Sequence, residues 1–397
     1  MATTTSRRRA FDVLPVTLTK DGRLANEVQL ERLAKAAGSA TDCFLFCHGW
    51  LYDEAEARQE AARFFALLDG AMAPLRERVA VLRVGFHWPS KPFGDPELTR
   101  GAPGHGLWPE LERRQKARTR ASHADVATLL LDLCRAEIPG SPEDEAELDV
   151  LLRRLSALDS ARGGLPISPF HALSFWVMKR RAGEVGERFG REYLAPLWRS
   201  ISRAPRLHLV GHSFGAKLAT SATLGGARPD SLTLLLGAFS AFAFAPEIPG
   251  SDRPGFYHRV LAERQVHGPI VVLRSDHDAA LGTLYRAIAG SGEIDRHGPG
   301  RLVRTAAAVA ASALGAVGAR GVGAPELDLV VVQQTGIPRY PIVNVDGSRV
   351  VKASDFLLGA HRDIFHREVA TLVGMAAGLL VGGPDGFRPK PVNPVGS

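Results

Sequence analysis

Short, continuously apolar runs alternate with helical patterns along this chain, and that alternation restricts its fold more than any other feature of the sequence. The runs predicted as strands are 43–47, 79–86, 207–210, 232–236, 270–273 and 327–332. Strands that are apolar at nearly every position are typical of a parallel sheet covered by helices on both faces. The sequence therefore predicts an α/β protein with a mostly parallel central sheet.

Composition and charge argue against several other classes of protein. Hydrophobic residues make up 45% of the 397 residues and charged residues 23%, which argues against a disordered chain, a collagen-like fibre or a coiled coil. The net charge is +7, but the basic residues are spread along the whole chain without interleaved aromatic residues. That pattern does not indicate nucleic-acid binding. A preference for anionic substrates, or peripheral contact with a membrane surface, remains compatible with the charge.

The cysteines and the apolar stretches indicate in which cellular compartment the protein is expected. Cys43, Cys47 and Cys134 are interpreted as free thiols, which are typical of a reducing cytoplasm. The apolar stretches 305–319 and 370–383 are shorter than the roughly 20 residues that a membrane-spanning helix needs. We therefore expect a soluble, cytoplasmic protein without a transmembrane segment, and the sequence leaves its oligomeric state open.

One long segment interrupts the alternation of strands and helices. Residues 91–173 are rich in proline, glycine and charge, and they separate two parts of the predicted sheet. An interruption of this length is more often an inserted unit than a loop. We expect a core formed by 1–90 and 174–382, a helical cap formed by 91–173, and a flexible tail at 383–397.

The motif Gly211-His212-Ser213-Phe214-Gly215 is the only G-x-S-x-G in the chain. It follows a predicted strand and opens a helical pattern over 216–224. This strand–turn–helix setting is what a nucleophile elbow requires, because the two glycines allow close packing while the serine is held on a sharp turn. The alternative interpretation is a tight turn with a solvated serine.

A serine nucleophile needs a base to accept its proton and an acid to orient that base. After such an elbow the acid follows a later strand, and the histidine comes last. Asp276 and Asp278 both follow the run 270–273, and spacing alone does not choose between them. His361 follows a glycine near the start of the C-terminal helix, whereas its competitor His366 should already lie within that helix.

Two backbone N–H groups are the expected donors to an oxyanion. One belongs to Phe214, directly after the candidate nucleophile. The other belongs to Trp50, in the loop after the first strand, where Gly49 gives the backbone room. His48 in the same loop is interpreted as a structural hydrogen-bonding residue.

Five segments together resemble a known superfamily. They are FCHGWLYDEAEAR from Phe46, VGFHWPSK from Val84, LVGHSFGAKLA from Leu209, GPIVVLRSDHDAALG from Gly268 and GAHRDIFHREVA from Gly359. With these segments the chain resembles the α/β-hydrolases, in particular bacterial esterase/lipase-like members with an HGW oxyanion loop. The resemblance implies the α/β-hydrolase fold, with Ser213 as nucleophile, Asp278 as acid and His361 as base.

The function expected from this resemblance is a serine hydrolase acting on a carboxylic ester or a related acyl compound through an acyl-enzyme intermediate. The resemblance implies no particular substrate, because one scaffold of this kind cleaves esters, thioesters, amides and lipids. The alternatives are a lipase or phospholipase, and a non-catalytic scaffold that binds a partner. No cofactor is expected. No metal is expected either, since His361 and His366 lack the spacing of a zinc-binding HExxH helix.

Overall fold

A computed structural model of the chain describes residues 12–91, 169–249, 254–278, 280–284, 312–353, 359–383 and 388–389. Its centre is an eight-stranded sheet in the order β1-β3-β2-β4-β5-β6-β8-β7, and every neighbouring pair is parallel. The strands are β1 (Leu14–Thr17), β2 (Asp42–Cys47), β3 (Val81–His87), β4 (Arg206–His212), β5 (Ser231–Leu235), β6 (Ile270–Arg274), β7 (Glu326–Asp328) and β8 (Ile342–Asp346). A separate antiparallel pair joins β9 (Leu380–Val381) to β10 (Arg388–Pro389).

Helices pack around this sheet. They are α1 (Val28–Ala37), α2 (Glu54–Ala71), α3 (Pro169–Phe189), α4 (Ala195–Ser200), α5 (Phe214–Leu224), α6 (His258–Ala262), α7 (Leu314–Val317), α8 (Leu329–Thr335) and α9 (Arg367–Ala376). Short 3-10 turns cover Ala73–Leu75 and Ala360–Arg362, and π-helical turns cover Gly190–Leu194 and Ala280–Leu284. Helix α3 packs on α5, and α2 packs on α9. The predicted α/β class with a parallel central sheet is confirmed.

Burial of the central strands explains why their sequences are mostly apolar. Strands β2 and β5 are buried at every position, and β6 is buried at all but its last residue. Cys43 and Cys47 both lie in β2 as buried free thiols, and burial raises the pKa of each thiol. Because both faces of these strands are covered, apolar side chains fill most positions, and the few polar residues of β2 and β5 are buried as well.

The run 327–332 was predicted as one strand, and this prediction is wrong for most of its length. Strand β7 ends at Asp328, and helix α8 begins at the next residue. The Asp328 carboxylate accepts hydrogen bonds from the backbone N–H groups of Val330 and Val331, at 2.8 and 3.3 Å. This N-cap stabilises the first turn of the helix, and it overrides the strand preference of the three consecutive valines.

The predicted cap, 91–173, lies almost entirely outside the described residues. Helix α3 begins at Pro169, so the boundary placed at 173/174 falls within that helix. Of the predicted tail, Arg388–Pro389 pairs with β9, and most of the rest lies outside the described residues. Within the described part of the chain, no helix combines the length and the apolar character needed to cross a lipid bilayer.

Candidate active site

The carboxyl ends of four adjacent strands, β2, β4, β5 and β6, bring the candidate site together. Cys47, at the end of β2, is in register with Gly211 near the end of β4. Leu235, at the end of β5, is in register with Leu273 of β6. Because parallel strands end at the same edge of the sheet, the loops after β2, β4 and β6 meet there, where ligands of open α/β sheets bind.

Ser213 lies on a strained turn between β4 and α5. Its φ of 58° and ψ of −120° lie outside the usual regions for a residue with a side chain. Three hydrogen bonds hold this backbone: the Ser213 N–H donates to Leu235 O at 3.0 Å, and the Ser213 carbonyl accepts from Ala216 and Ala238, both at 3.1 Å. The turn therefore has the conformation that a nucleophile elbow requires.

Close packing between the elbow and β2 depends on Gly215. A Cβ atom at this position would lie 2.2 Å from the carbonyl oxygen of Cys47 and 2.5 Å from that of His48. Only glycine allows the first turn of α5 to approach the end of β2 so closely. The same approach brings the loop after β2 beside Ser213.

A chain of hydrogen bonds joins Ser213, His361 and Asp278. Ser213 Oγ lies 2.7 Å from His361 Nε2, and His361 Nδ1 lies 2.6 Å from Asp278 Oδ2. All three side chains are buried, with exposed fractions of 4%, 8% and 1%. With Nδ1–H donating to the carboxylate, the lone pair of Nε2 faces the serine hydroxyl, as a general base requires.

Two hydrogen bonds hold the backbone at His361, one at the preceding residue and one at its own carbonyl. Ala360 N–H donates to the carbonyl of His277, close to the aspartate, at 2.9 Å. The His361 carbonyl accepts a hydrogen bond from His212 Nε2 at 2.7 Å. Burial, together with the nearby His361, lowers the pKa of His212 to about 3, so its ring is neutral and carries its proton on Nε2.

His212 is the residue of the site to which sequence reasoning assigned no role. It occupies the first of the two variable positions of the G-x-S-x-G motif, and the motif does not say which way its ring points. In the structure its ring lies 5.2 Å from that of His361, centroid to centroid. Its Nδ1 is buried and has no hydrogen-bond partner among the described residues.

The competing residues lie elsewhere. Asp276 is exposed, its carboxylate pairs with Arg274 at 2.8 Å, and its N–H donates to Ser348 Oγ at 3.0 Å. His366 was expected within the C-terminal helix, which is wrong: it is the N-cap residue before α9, and its Nε2 lies 2.8 Å from Asp363 Oδ1. The structure thus brings Asp278 and His361 to the serine, and neither Asp276 nor His366.

The loop after β2 contacts the elbow directly. A Cβ atom on Gly49 would lie 3.0 Å from the Cβ of Ser213, so this glycine lets the loop run against the serine. Trp50 follows, with its ring 6.1 Å from that of Phe214, and both residues line the cleft at Ser213. Gly49, Trp50 and Phe214 therefore all lie around the candidate nucleophile.

His48 shapes this loop by hydrogen bonding. Its Nδ1 lies 2.9 Å from the carbonyl of Gly49, and its Nε2 accepts from the Trp88 N–H at 3.3 Å. Trp88 Nε1 donates in turn to the carbonyl of His48 at 3.0 Å. Burial lowers the pKa of His48 to about 3, so the ring stays neutral and keeps this pattern of donors and acceptors.

A small cleft opens above Ser213 and is lined mainly by apolar side chains. Its lining residues are Trp50, Leu51, Tyr52, His212, Ser213, Phe214, Ala238, Ala280, Leu281, His361 and Arg362. The cleft has a volume of about 50 Å³. Larger cavities of about 220 and 230 Å³ open elsewhere in the described part of the chain, and neither is lined by a serine or a cysteine.

Neither a metal centre nor a known relative accompanies this geometry. Among the described residues, no group of three histidine, cysteine or acidic side chains is arranged to hold a metal ion. Comparisons with protein-family models, with curated proteins and with solved structures found no match for this chain. The function of the protein is therefore inferred from the chemistry of the site.

Proposed function

We propose that this protein is a serine hydrolase of the α/β-hydrolase type, cleaving a carboxylic ester or a related acyl compound. The observation that supports this most strongly is the continuous hydrogen-bonded chain from Ser213 Oγ through His361 to Asp278. A serine with a histidine at 2.7 Å, oriented by a buried carboxylate, has the geometry of an activated nucleophile. The strained backbone at Ser213 also supports the proposal, since such strain concentrates at functional sites.

In the proposed reaction, Ser213 Oγ attacks the carbonyl carbon of the ester while His361 Nε2 accepts the hydroxyl proton. The tetrahedral intermediate collapses, the bond to the alcohol oxygen breaks, and His361 gives the proton to the leaving alkoxide. Water then attacks the acyl-serine in the same way, and the acid product leaves. Asp278 holds the ring of His361 and stabilises its charged form during both steps.

The oxyanion of the intermediate needs donors that are already in place. The backbone N–H groups of Phe214 and Trp50 are the proposed donors, because both residues line the cleft at Ser213. Phe214 is also the first residue of the 11-residue helix α5, whose N-terminus favours negative charge. No metal or cofactor is needed for this chemistry.

Hydrolysis of 4-nitrophenyl esters tests the proposal. Ser213→Ala should lower kcat at least about 10³-fold, because nucleophile and base act as a unit. Asp278→Asn should lower kcat by a similar order, whereas Asp276→Asn, which removes a carboxylate facing Arg274, should leave kcat within about threefold. The Asp276 variant is the matched control, since both aspartates lie in the same loop.

Each outcome of this experiment separates the alternatives. A Ser213→Ala variant that keeps more than a tenth of the wild-type turnover would place the nucleophile elsewhere. A larger loss at Asp276 than at Asp278 would reverse the assignment of the acid. A folded wild-type protein that hydrolyses neither short esters nor dispersed lipid esters would favour the non-catalytic scaffold, and activity on lipid dispersions alone would favour a lipase.

A further inference from the structure

Among the described residues that line the cleft at Ser213, Arg362 is the one with a permanent charge. It is the last residue of the 3-10 turn that carries His361, so its position is fixed by the same turn as that of the proposed base. Its guanidinium carbon lies 5.3 Å from the centre of the Tyr52 ring, within range of a cation–π contact. Tyr52 lines the same cleft, so its contact with the guanidinium lies at the wall of the cleft.

No ion pair within the described part of the chain neutralises the charge of Arg362. Among the described residues, no carboxylate oxygen lies within 4.0 Å of its guanidinium. Glu60 lies near enough to sense this charge, since burial raises the pKa of its carboxyl group and Arg362 lowers it. Glu60 Oε1 accepts a hydrogen bond from Tyr52 Oη at 2.6 Å, so that oxygen is already engaged.

The other described residues of the cleft carry no opposing charge. None of the described lining residues is acidic, and His212 stays neutral because burial lowers its pKa to about 3. Among the described residues, an anion in the cleft would therefore meet one guanidinium, several apolar side chains and no carboxylate apart from Asp278, which lies behind the ring of His361. Guanidinium groups bind carboxylate and phosphate groups through paired hydrogen bonds.

We propose that Arg362 determines specificity, and that the preferred substrates are esters carrying an anionic group, a carboxylate or phosphate, near the scissile bond. This inference rests on the proposed hydrolase function and names the substrate class of the same site. The expected preference over an otherwise identical neutral ester is roughly tenfold in kcat/KM, since Arg362 is exposed and its charge is partly screened.

Two matched pairs of esters test this inference and distinguish the position of the anion. Mono-4-nitrophenyl glutarate and its methyl ester differ by one charge on the acyl side. The compounds 4-acetoxybenzoate and methyl 4-acetoxybenzoate differ by one charge on the alcohol side. In at least one pair, the wild-type protein should favour the anionic ester, and Arg362→Gln should bring the ratio of kcat/KM for the anionic and neutral esters close to one.

Arg63→Gln is the matched control. The Arg63 guanidinium lies 4.1 Å from the centre of the Phe365 ring and also lowers the pKa of Glu60, but Arg63 does not line the cleft. This variant should keep the wild-type preference, although it loses the same charge and the same kind of ring contact. Raising the ionic strength from about 20 to about 500 mM should weaken the wild-type preference, because the Debye length falls to a few ångströms.

The two possible failures are distinguishable. Hydrolysis of the neutral esters that depends on Ser213, with the same anion preference in wild type, Arg362→Gln and Arg63→Gln, would overturn the role of Arg362 and leave the hydrolase intact. A loss of preference in Arg63→Gln equal to that in Arg362→Gln would also overturn it. Absence of Ser213-dependent hydrolysis for all four esters would overturn the proposed function, and this inference with it.

Discussion

His212 and His361 both line the cleft at Ser213, and a hydrogen bond of 2.7 Å connects them. The donor is the Nε2–H of a buried, neutral ring, and the acceptor is the carbonyl of the residue that would act as base. His212 therefore does not touch the reacting atoms in the proposed mechanism. It positions the turn that holds the imidazole of His361 against Ser213.

Replacing His212 should slow the chemical step without weakening substrate binding. His212→Ala removes one buried hydrogen bond that fixes the His361 backbone, and a misplaced base is costly, so we expect kcat to fall roughly tenfold with KM nearly unchanged. His212→Gln retains an N–H donor and should recover part of the loss. Steady-state kinetics on a single ester measure both variants.

His208 provides the control for this prediction. It is also buried in β4, but it lies four residues earlier and bonds to Asp42 at 3.1 Å and to Ser231 at 2.9 Å. His208→Ala should lower the free energy of unfolding and leave kcat of the folded protein unchanged. Equal losses of kcat in both alanine variants would show that His212 acts only through stability.

The sequence could predict the candidate triad but not all of its geometry. The order of serine, aspartate and histidine after successive strands depends on chain order alone, and the sequence contains that order. The choice between Asp276 and Asp278 depends on which carboxylate turns inward, and Arg274 holds Asp276 at the surface. The role of His212 depends on a contact 149 residues away, which no local pattern indicates.

At the level of elements, the close approach of β2 and α5 brings the residues of the candidate site together. The end of β2 contributes the loop with Gly49, and the start of α5 contributes Ser213 and Phe214. A side chain at Gly215 would push these two elements apart, because its Cβ would lie 2.2 Å from the carbonyl oxygen of Cys47. Trp50, whose N–H is a proposed oxyanion donor, would then move away from Ser213.

Gly215→Ala should therefore be severely destabilising. The added Cβ would lie 2.2 Å from a backbone oxygen, which no rotamer change relieves, and we expect a loss of at least about 3 kcal/mol in the free energy of unfolding. Gly70→Ala is the matched control, since Gly70 is an exposed helical residue with open space at its Cβ position. That variant should gain up to about 1 kcal/mol from helix propensity.

Urea denaturation of the two variants measures this difference. The free energy of unfolding should fall in Gly215→Ala and rise in Gly70→Ala, although both variants add the same methyl group. A Gly215→Ala variant as stable as the wild type would show that β2 and α5 are further apart than the structure has them.

The strands that sequence reasoning missed have identifiable causes. Strand β8 was not predicted because Asn344 interrupts its apolar run, yet Asn344 is fully buried and exchanges two hydrogen bonds with the backbone of Ala319. Strand β1 contains Pro15 and lies at the edge of the sheet, which is where proline is tolerated. In both strands, tertiary contacts satisfy a residue whose local preference opposes the strand.

At the level of the whole molecule, two buried neutral histidines couple stability to pH. Burial lowers the pKa of both His48 and His212 to about 3, whereas an unfolded histidine titrates near 6.5. Between these values the unfolded chain binds more protons than the folded protein. The stability from neutral burial is therefore complete above pH 6.5 and is lost as the pH falls toward 3.

We expect each of the two histidines to lower the free energy of unfolding by up to about 1.4 kcal/mol per pH unit below pH 6. Urea denaturation between pH 7 and pH 5 measures the slope. His212→Asn cannot take up this proton, so its slope should be smaller than that of the wild type by about one proton. Identical slopes in the two proteins would contradict the buried, neutral state of His212.

Labelling with a fluorophosphonate shows whether Ser213 is an activated nucleophile. The folded wild-type protein should gain the mass of one phosphonyl group, and peptide mapping should place that group on Ser213. Ser213→Ala should remain unlabelled under the same conditions, and Asp278→Asn should react far more slowly. Labelling at another residue, or no labelling of the folded wild-type protein, would contradict the account.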